Sequence, residues 1–127
     1  HAWGAAGLEG YIRYILGIRP TKSQYEEVRI EPLDFGSRLE TAKGFITTDR
    51  GKIAVQWKNL PNSYAVQVDL PVNVVATISI PRGAGKHPLI HLDNEPVKFI
   101  EDSDRLIVPR VGSGRHTLIR RESVPTK

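Results

Sequence analysis

The sequence predicts a mainly β protein: an antiparallel β-sandwich of about eight strands preceded by one α-helix. Three observations carry this. Between Gly17 and Pro20 the apolar spacing changes from a helical period to a period of two. Turn residues then recur about every 8–12 positions. Most segments between turns carry one apolar and one polar face, which calls for two sheets packed face to face.

The helix is read first. Leu8, Tyr11, Ile12, Ile15 and Leu16 fall on one helical face. Gly17 suits the C-terminal cap and Pro20 prevents continuation. Upstream, Gly4, Ala5, Ala6 and Gly7 are small enough to let another backbone come close. No second helix is readable to receive them, so the expectation is a packing partner outside this sequence. The strands follow. Val28 and Ile30 alternate with Glu27, Arg29 and Glu31, and Phe45 and Thr47 belong to a second strand. Asp49-Arg50-Gly51 is turn chemistry. Ile53, Val55 and Trp57 share a face, as do Tyr64, Val66, Val68 and Leu70, and then Val74, Ala76, Ile78 and Ile80. Leu89–Leu92 and Val97–Ile100 read as a hairpin about Asp93-Asn94, a good tight-turn pair. Leu106–Val108 and His116–Ile119 end the series, separated by Gly112-Ser113-Gly114. The division expected is helix over residues 1–20 and sandwich over 21–127.

At 127 residues and 39% hydrophobic content, the chain is the size of one domain, too short for most catalytic barrels. It has no Cys, which excludes disulfides, Cys-ligated zinc and a thiol nucleophile. It also has no Met and begins with His, so the N-terminus is expected to be processed, cut or incomplete. A leader lost that way would take its compartment signal with it. No run of about 18 apolar residues is present to form a transmembrane helix, and no membrane partner is expected.

The formal charge is +4, and the excess is local. Arg105, Arg110, Arg115, Arg120, Arg121 and Lys127 face one acid, Glu122. These arginines alternate with apolar residues as solvated strand positions do, and no interleaved aromatics offer base stacking. No nucleic-acid partner is expected.

Catalytic patterns are not found. Glycoside hydrolysis needs two carboxyl groups about 5–5.5 Å or 6.5–9.5 Å apart. Glu26 and Glu27 are adjacent and point to opposite strand faces, Glu101, Asp102 and Asp104 sit in a connection, and Asp93 and Glu95 flank a hairpin tip. His87 and His91 would lie about 13 Å apart along a strand, too far for one ion. The turn breaks the face shared by His91, Asp93 and Glu95. Ser113 and His116 do not make a G-x-S-x-G elbow. Arg82-Gly83-Ala84-Gly85-Lys86 lacks the spacing of a phosphate loop. No metal or cofactor is implied. His1 and Trp3, at the start of the small-residue helix, combine a hydrogen-bonding imidazole with an aromatic face, chemistry that suits a sugar.

Several stretches resemble bacterial α-L-rhamnosidases of glycoside hydrolase family 78. His1-Ala2-Trp3-Gly4-Ala5-Ala6 and Tyr14-Ile15-Leu16-Gly17-Ile18-Arg19-Pro20 resemble the start and exit of that family's last barrel helix. Tyr25–Pro32 resembles the first strand after the barrel. Thr48–Lys58 resembles a Tyr-Gly-x-Ile-x-x-x-Trp-like hairpin, and Leu70–Pro81 the Pro-x-Asn-x-x-Ala-x-Val-x-x-Pro strand that follows. Val111–Gly114 resembles the glycine turn before the final strand. The sequence departs from the pattern at Gly7, where many members carry Pro, and at Arg50, which replaces an aromatic.

The resemblance implies an (α/α)₆ barrel ending in a C-terminal sandwich, with residues 1–20 as the barrel's last helix and 21–127 as the sandwich. It implies inverting hydrolysis of terminal α-L-rhamnosides on a rhamnosylated glycan or glycoside, with the catalytic acid and base upstream of this chain, which alone should be inactive. It also implies that His1 lines the rhamnose subsite and hydrogen-bonds a ring hydroxyl, with Trp3 supporting that wall. The alternative is a freestanding, non-catalytic module binding carbohydrate or protein. Its helix would then pack Leu8, Ile12, Ile15 and Leu16 onto the sandwich.

Overall fold

The computed structural model describes residues 13–22, 25–32 and 40–122. Leu8, Tyr11 and Ile12 lie outside them. Among the described residues, 13–16 are helical and eleven strands follow. These are β1 (Ile18–Pro20), β2 (Glu27–Ile30), β3 (Thr41–Thr48), β4 (Gly51–Leu60), β5 (Ser63–Leu70), β6 (Val75–Pro81), β7 (Pro88–Leu92), β8 (Glu95–Pro96), β9 (Ile100–Asp102), β10 (Arg105–Val111) and β11 (Gly114–Glu122). They form two sheets, one ordered β1-β2-β6-β10-β9 and the other β3-β4-β5-β11-β7-β8. The β-sandwich read from the sequence is the architecture observed.

Alternation along the strands explains the core. Ile53, Val55 and Trp57 of β4 and Tyr64, Val66 and Val68 of β5 line the inner face of the six-stranded sheet, each at most 2% exposed. Val28 and Ile30, Ala76, Ile78 and Ile80, and Leu106 and Val108 meet them from the five-stranded sheet. Burying this many aliphatic side chains, each worth about 1.5–3 kcal/mol, drives the two sheets together.

Four details differ from the sequence reading. Ile18–Pro20, read as the exit from the helix, is a strand paired with β2. In β3 the inward residue is Ile46, opposite Ile53, while Phe45, opposite Ala54, is 54% exposed. Strand parity permits only one of two adjacent residues to face the core. The hairpin tip at Asp93-Asn94 is as expected, with both residues at positive φ as a two-residue primed turn requires. Its second arm is shorter than Val97–Ile100 implied. Glu95–Pro96 pairs back on β7, Val97 N–H adds one bond to the Ile90 carbonyl at 3.0 Å, and Ile100–Asp102 joins β10 in the other sheet. Finally, β2 and β6 pair in parallel, because β3, β4 and β5 of the opposite sheet lie between them in the chain.

Candidate functional site

The sugar-contact residues read from the sequence, His1 and Trp3, lie outside the described residues. What the structure does describe is the seat on which the end of that segment rests. Leu16 and Ile18 are 1% and 2% exposed within the sandwich core, and Ile15 packs against it. Gly17 makes the bend between them. Its N–H donates to the Arg13 carbonyl at 2.8 Å, closing the helix, and its own carbonyl accepts from Glu31 N–H at 2.8 Å. Its φ is +76°, and a Cβ there would stand 2.3 Å from the Glu31 carbonyl carbon and oxygen. Glycine is required twice, by conformation and by space.

Side chains from distant strands complete the seat. The Trp57 indole N–H donates to the Ile15 carbonyl at 3.1 Å, satisfying one of the acceptors a helix end leaves open. The Trp57 ring stacks on Tyr64, with centroids 6.2 Å apart and planes 10° from parallel. Arg105 donates to the Ser79 hydroxyl at 3.0 Å, the Ser79 carbonyl at 2.6 Å and the Pro32 carbonyl at 2.8 Å. Burial lowers its pKa and nearby Glu31 opposes that shift. Glu31 gathers three cations: Arg29 at 2.9 Å, Arg19 at 3.3 Å and Arg105 at 3.7 Å. Arg120, only 9% exposed, lies over the Tyr64 ring and donates to the Pro81 carbonyl. It is held below the usual guanidinium range chiefly by burial. The arrangement can fix the orientation of a preceding helix. It presents no pair of carboxylates for acid–base chemistry.

The histidine considered beside Ser113 has a structural role. His116 Nδ1 lies 2.6 Å from Asp93 Oδ2 and Nε2 lies 3.1 Å from the Ser113 carbonyl. Both ring nitrogens face acceptors, an arrangement that only the imidazolium fully satisfies. Burial lowers the His116 pKa, but the Asp93 and Ser113 hydrogen bonds outweigh it and the net shift is upward. Asp93 is correspondingly held low, first by the His116 hydrogen bond and further by the Thr117 N–H. Ser113 contributes its carbonyl here. Of the candidate metal ligands, Asp93 is engaged in this pair. Among the described residues no three His, Asp or Glu side chains converge to hold an ion.

Comparison with known proteins turns this geometry into a family. The family model described as the bacterial alpha-L-rhamnosidase C-terminal domain matches residues 17–88. The chain belongs to that family. The match begins at Gly17, the residue on which the helix exit turns. An alpha-L-rhamnosidase from Alteromonas sp. (strain LOR) is 31% identical to this chain over 84 residues, 66% of this chain and 9% of the relative. The structure of the alpha-L-rhamnosidase from Dictyoglumus thermophilum superposes with a TM-score of 0.80 at 21% identity, covering 94% of this chain and 14% of that one. The Streptomyces avermitilis alpha-L-rhamnosidase complexed with L-rhamnose gives 0.72 at 23% identity, covering 93% of this chain and 11% of that one. The domain therefore spans roughly a tenth of the length of the proteins it matches.

Sequence reasoning missed Arg105 and the anchoring role of Trp57. A Trp within a core strand carries an N–H that must find an acceptor, and that was the available signal. Which carbonyl it finds, 42 residues away, is set by the fold.

Proposed function

We propose that this chain is the C-terminal part of an enzyme that removes terminal α-L-rhamnose from glycans or glycosides, and that its own role is to hold the end of the catalytic domain's last helix. In this reading the segment before Gly17 is that helix, and the appended sandwich begins with β1 at Ile18. The acid that protonates the leaving oxygen and the carboxylate that activates water lie upstream of His1. His1 hydrogen-bonds a rhamnose hydroxyl and Trp3 backs it, orienting the sugar without moving its proton. The family match over residues 17–88 carries the reading. The seat around Gly17, Trp57 and Arg105 supplies the physical means, because a helix held at its C-terminal end presents its other end in a defined place.

The test has two parts. The 127-residue chain alone should show no turnover of an aryl α-L-rhamnoside. In the full-length protein, His1→Ala should raise KM for that substrate about tenfold, the loss of one hydrogen bond to a sugar being about 1.4 kcal/mol. Turnover by the isolated chain, or an unchanged KM in the variant, would contradict it.

One observation favours the freestanding module instead. Ile15 and Leu16 pack onto the sandwich itself, as a helix covering its own domain would. A monodisperse, cooperatively unfolding 127-residue chain that binds rhamnose at millimolar concentration would support that reading.

A further inference from the structure

The outer face of the six-stranded sheet carries a feature that the anchoring role does not use. Its side chains stand in registered rows across β3, β4, β5 and β11. One row is Phe45, Ala54, Asp69 and Arg115. The next is Lys43, Gln56, Gln67 and Thr117, and the third is Thr41, Lys58, Ala65 and Ile119. Ala54 and Ala65 are the small members, and the surface dips at each. The dip at Ala54 is an open groove of about 300 Å³, walled by Phe45 on one side and by Arg115, ion-paired to Asp69 at 3.1 Å, on the other. The dip at Ala65 is smaller, about 170 Å³, and shares Gln56 and Gln67 with the first. From strand rise and spacing the two dips lie about 14 Å apart.

We propose that this face is a binding track for an anionic saccharide chain, separate from the place where rhamnose would be cleaved. The word saccharide rests on the proposed function; the track itself rests on geometry and charge. Two cross-strand amides, Gln56 and Gln67, hydrogen-bond to no described residue and present donors and acceptors between the dips. Phe45 is 54% exposed and offers apolar contact to a sugar ring, with the Lys52 ammonium over its own ring at 4.9 Å from the centroid. Lys43, Lys52, Lys58 and Arg115 surround the two dips, against the single carboxylate Asp69. That charge surplus selects an acidic ligand. A protein partner fits less well. Interface cores are apolar, and Phe45 is the one strongly exposed large apolar side chain among the described residues of these rows.

Affinity electrophoresis of the 127-residue chain through gels holding polygalacturonate, dextran sulfate or neutral dextran tests this. Retardation by a charged polymer is expected, at least fivefold stronger than by neutral dextran and weakened by salt. The carboxylated and sulfated arms distinguish which acid the track takes; retardation by either supports it. Gln56→Ala/Gln67→Ala, which leaves the charge unchanged, should weaken retardation at least fivefold. Ala54→Gln, which fills the larger dip, should do the same. Lys86→Ala/Lys98→Ala, which removes two exposed charges off this face, should change it less than twofold. Urea midpoints within experimental error of the parent chain establish that each variant is folded. Equal retardation by neutral dextran, or equal loss in the off-face variant, would overturn the proposal. Because the readout is binding by the chain alone, failure here leaves rhamnoside turnover by the full-length protein untouched, and the two readings fail separately.

Discussion

At the end of the sandwich where the helix arrives, order comes from residues far apart in the chain. Trp57 reaches Ile15, Arg105 reaches Pro32 and Ser79, and Arg120 reaches Pro81. At the opposite end, beside the Val75 N–H bond to the Glu26 carbonyl at 3.2 Å, two turns close on themselves. Thr48 accepts from Arg50 N–H at 3.1 Å and donates to the Gly51 carbonyl at 2.8 Å, and Val74 N–H donates to the Pro71 carbonyl at 3.2 Å. The bonds from Trp57 to Ile15 and from Arg105 to Pro32 lie where the described helical residues join the sandwich.

Glycine at positive φ gives the sharpest test of that contrast. Gly17→Ala should destabilise the domain by about 4 kcal/mol or more, because strain adds to a collision with Glu31 backbone. Gly114→Ala, at φ +102° with nothing within 4 Å of the added Cβ, should cost only about 1–3 kcal/mol of strain. Urea unfolding of both checks the difference, and equal losses would break the comparison.

Removing hydrogen-bonding groups should rank the two ends in the same order. Arg105→Met leaves the Ser79 and Pro32 acceptors without their charged donor and should cost about 2–3 kcal/mol. Thr48→Val removes only the local turn bonds, for about 1 kcal/mol.

Between these ends, the Asp93–His116 pair makes stability depend on pH. Asp93 is held below its ordinary 3.8, so its contribution is present above that value and fades as pH falls through its lowered pKa. His116 is raised above 6.5, so its contribution is full below 6.5 and fades as pH rises through the raised value. The Tm difference between the parent and Asp93→Asn should therefore be greatest between about pH 4 and 6.5 and shrink on either side. A difference constant from pH 3 to 9 would contradict the pairing. The smallest effect belongs to Arg115→Ala, whose exposed ion pair with Asp69 should be worth less than about 0.5 kcal/mol in thermal unfolding.

The period-two pattern over Ile53–Trp57 and Tyr64–Leu70, and the Asp93-Asn94 tip, were legible because side-chain alternation and turn preference act over a few residues. The inward choice of Ile46 over Phe45 was not, because either parity leaves an apolar residue facing the core and only pairing with Ile53 decides. The proposed sugar contacts, His1 and Trp3, rest on residue chemistry and a resemblance, while the seat around Gly17 carries no local sequence signal. The carbonyls that Trp57 and Arg105 reach lie 26 to 73 residues away.

Local chemistry was enough to specify a sandwich: apolar alternation, turn residues and the Gly17–Pro20 break each need only near neighbours. Tertiary structure decided which strands meet across the two sheets, why Gly17 admits no side chain, and where the guanidinium groups of Arg105 and Arg120 are spent. The reason is physical. A buried donor takes whichever carbonyl the completed fold brings within 3 Å, and no pattern along the chain records that distance.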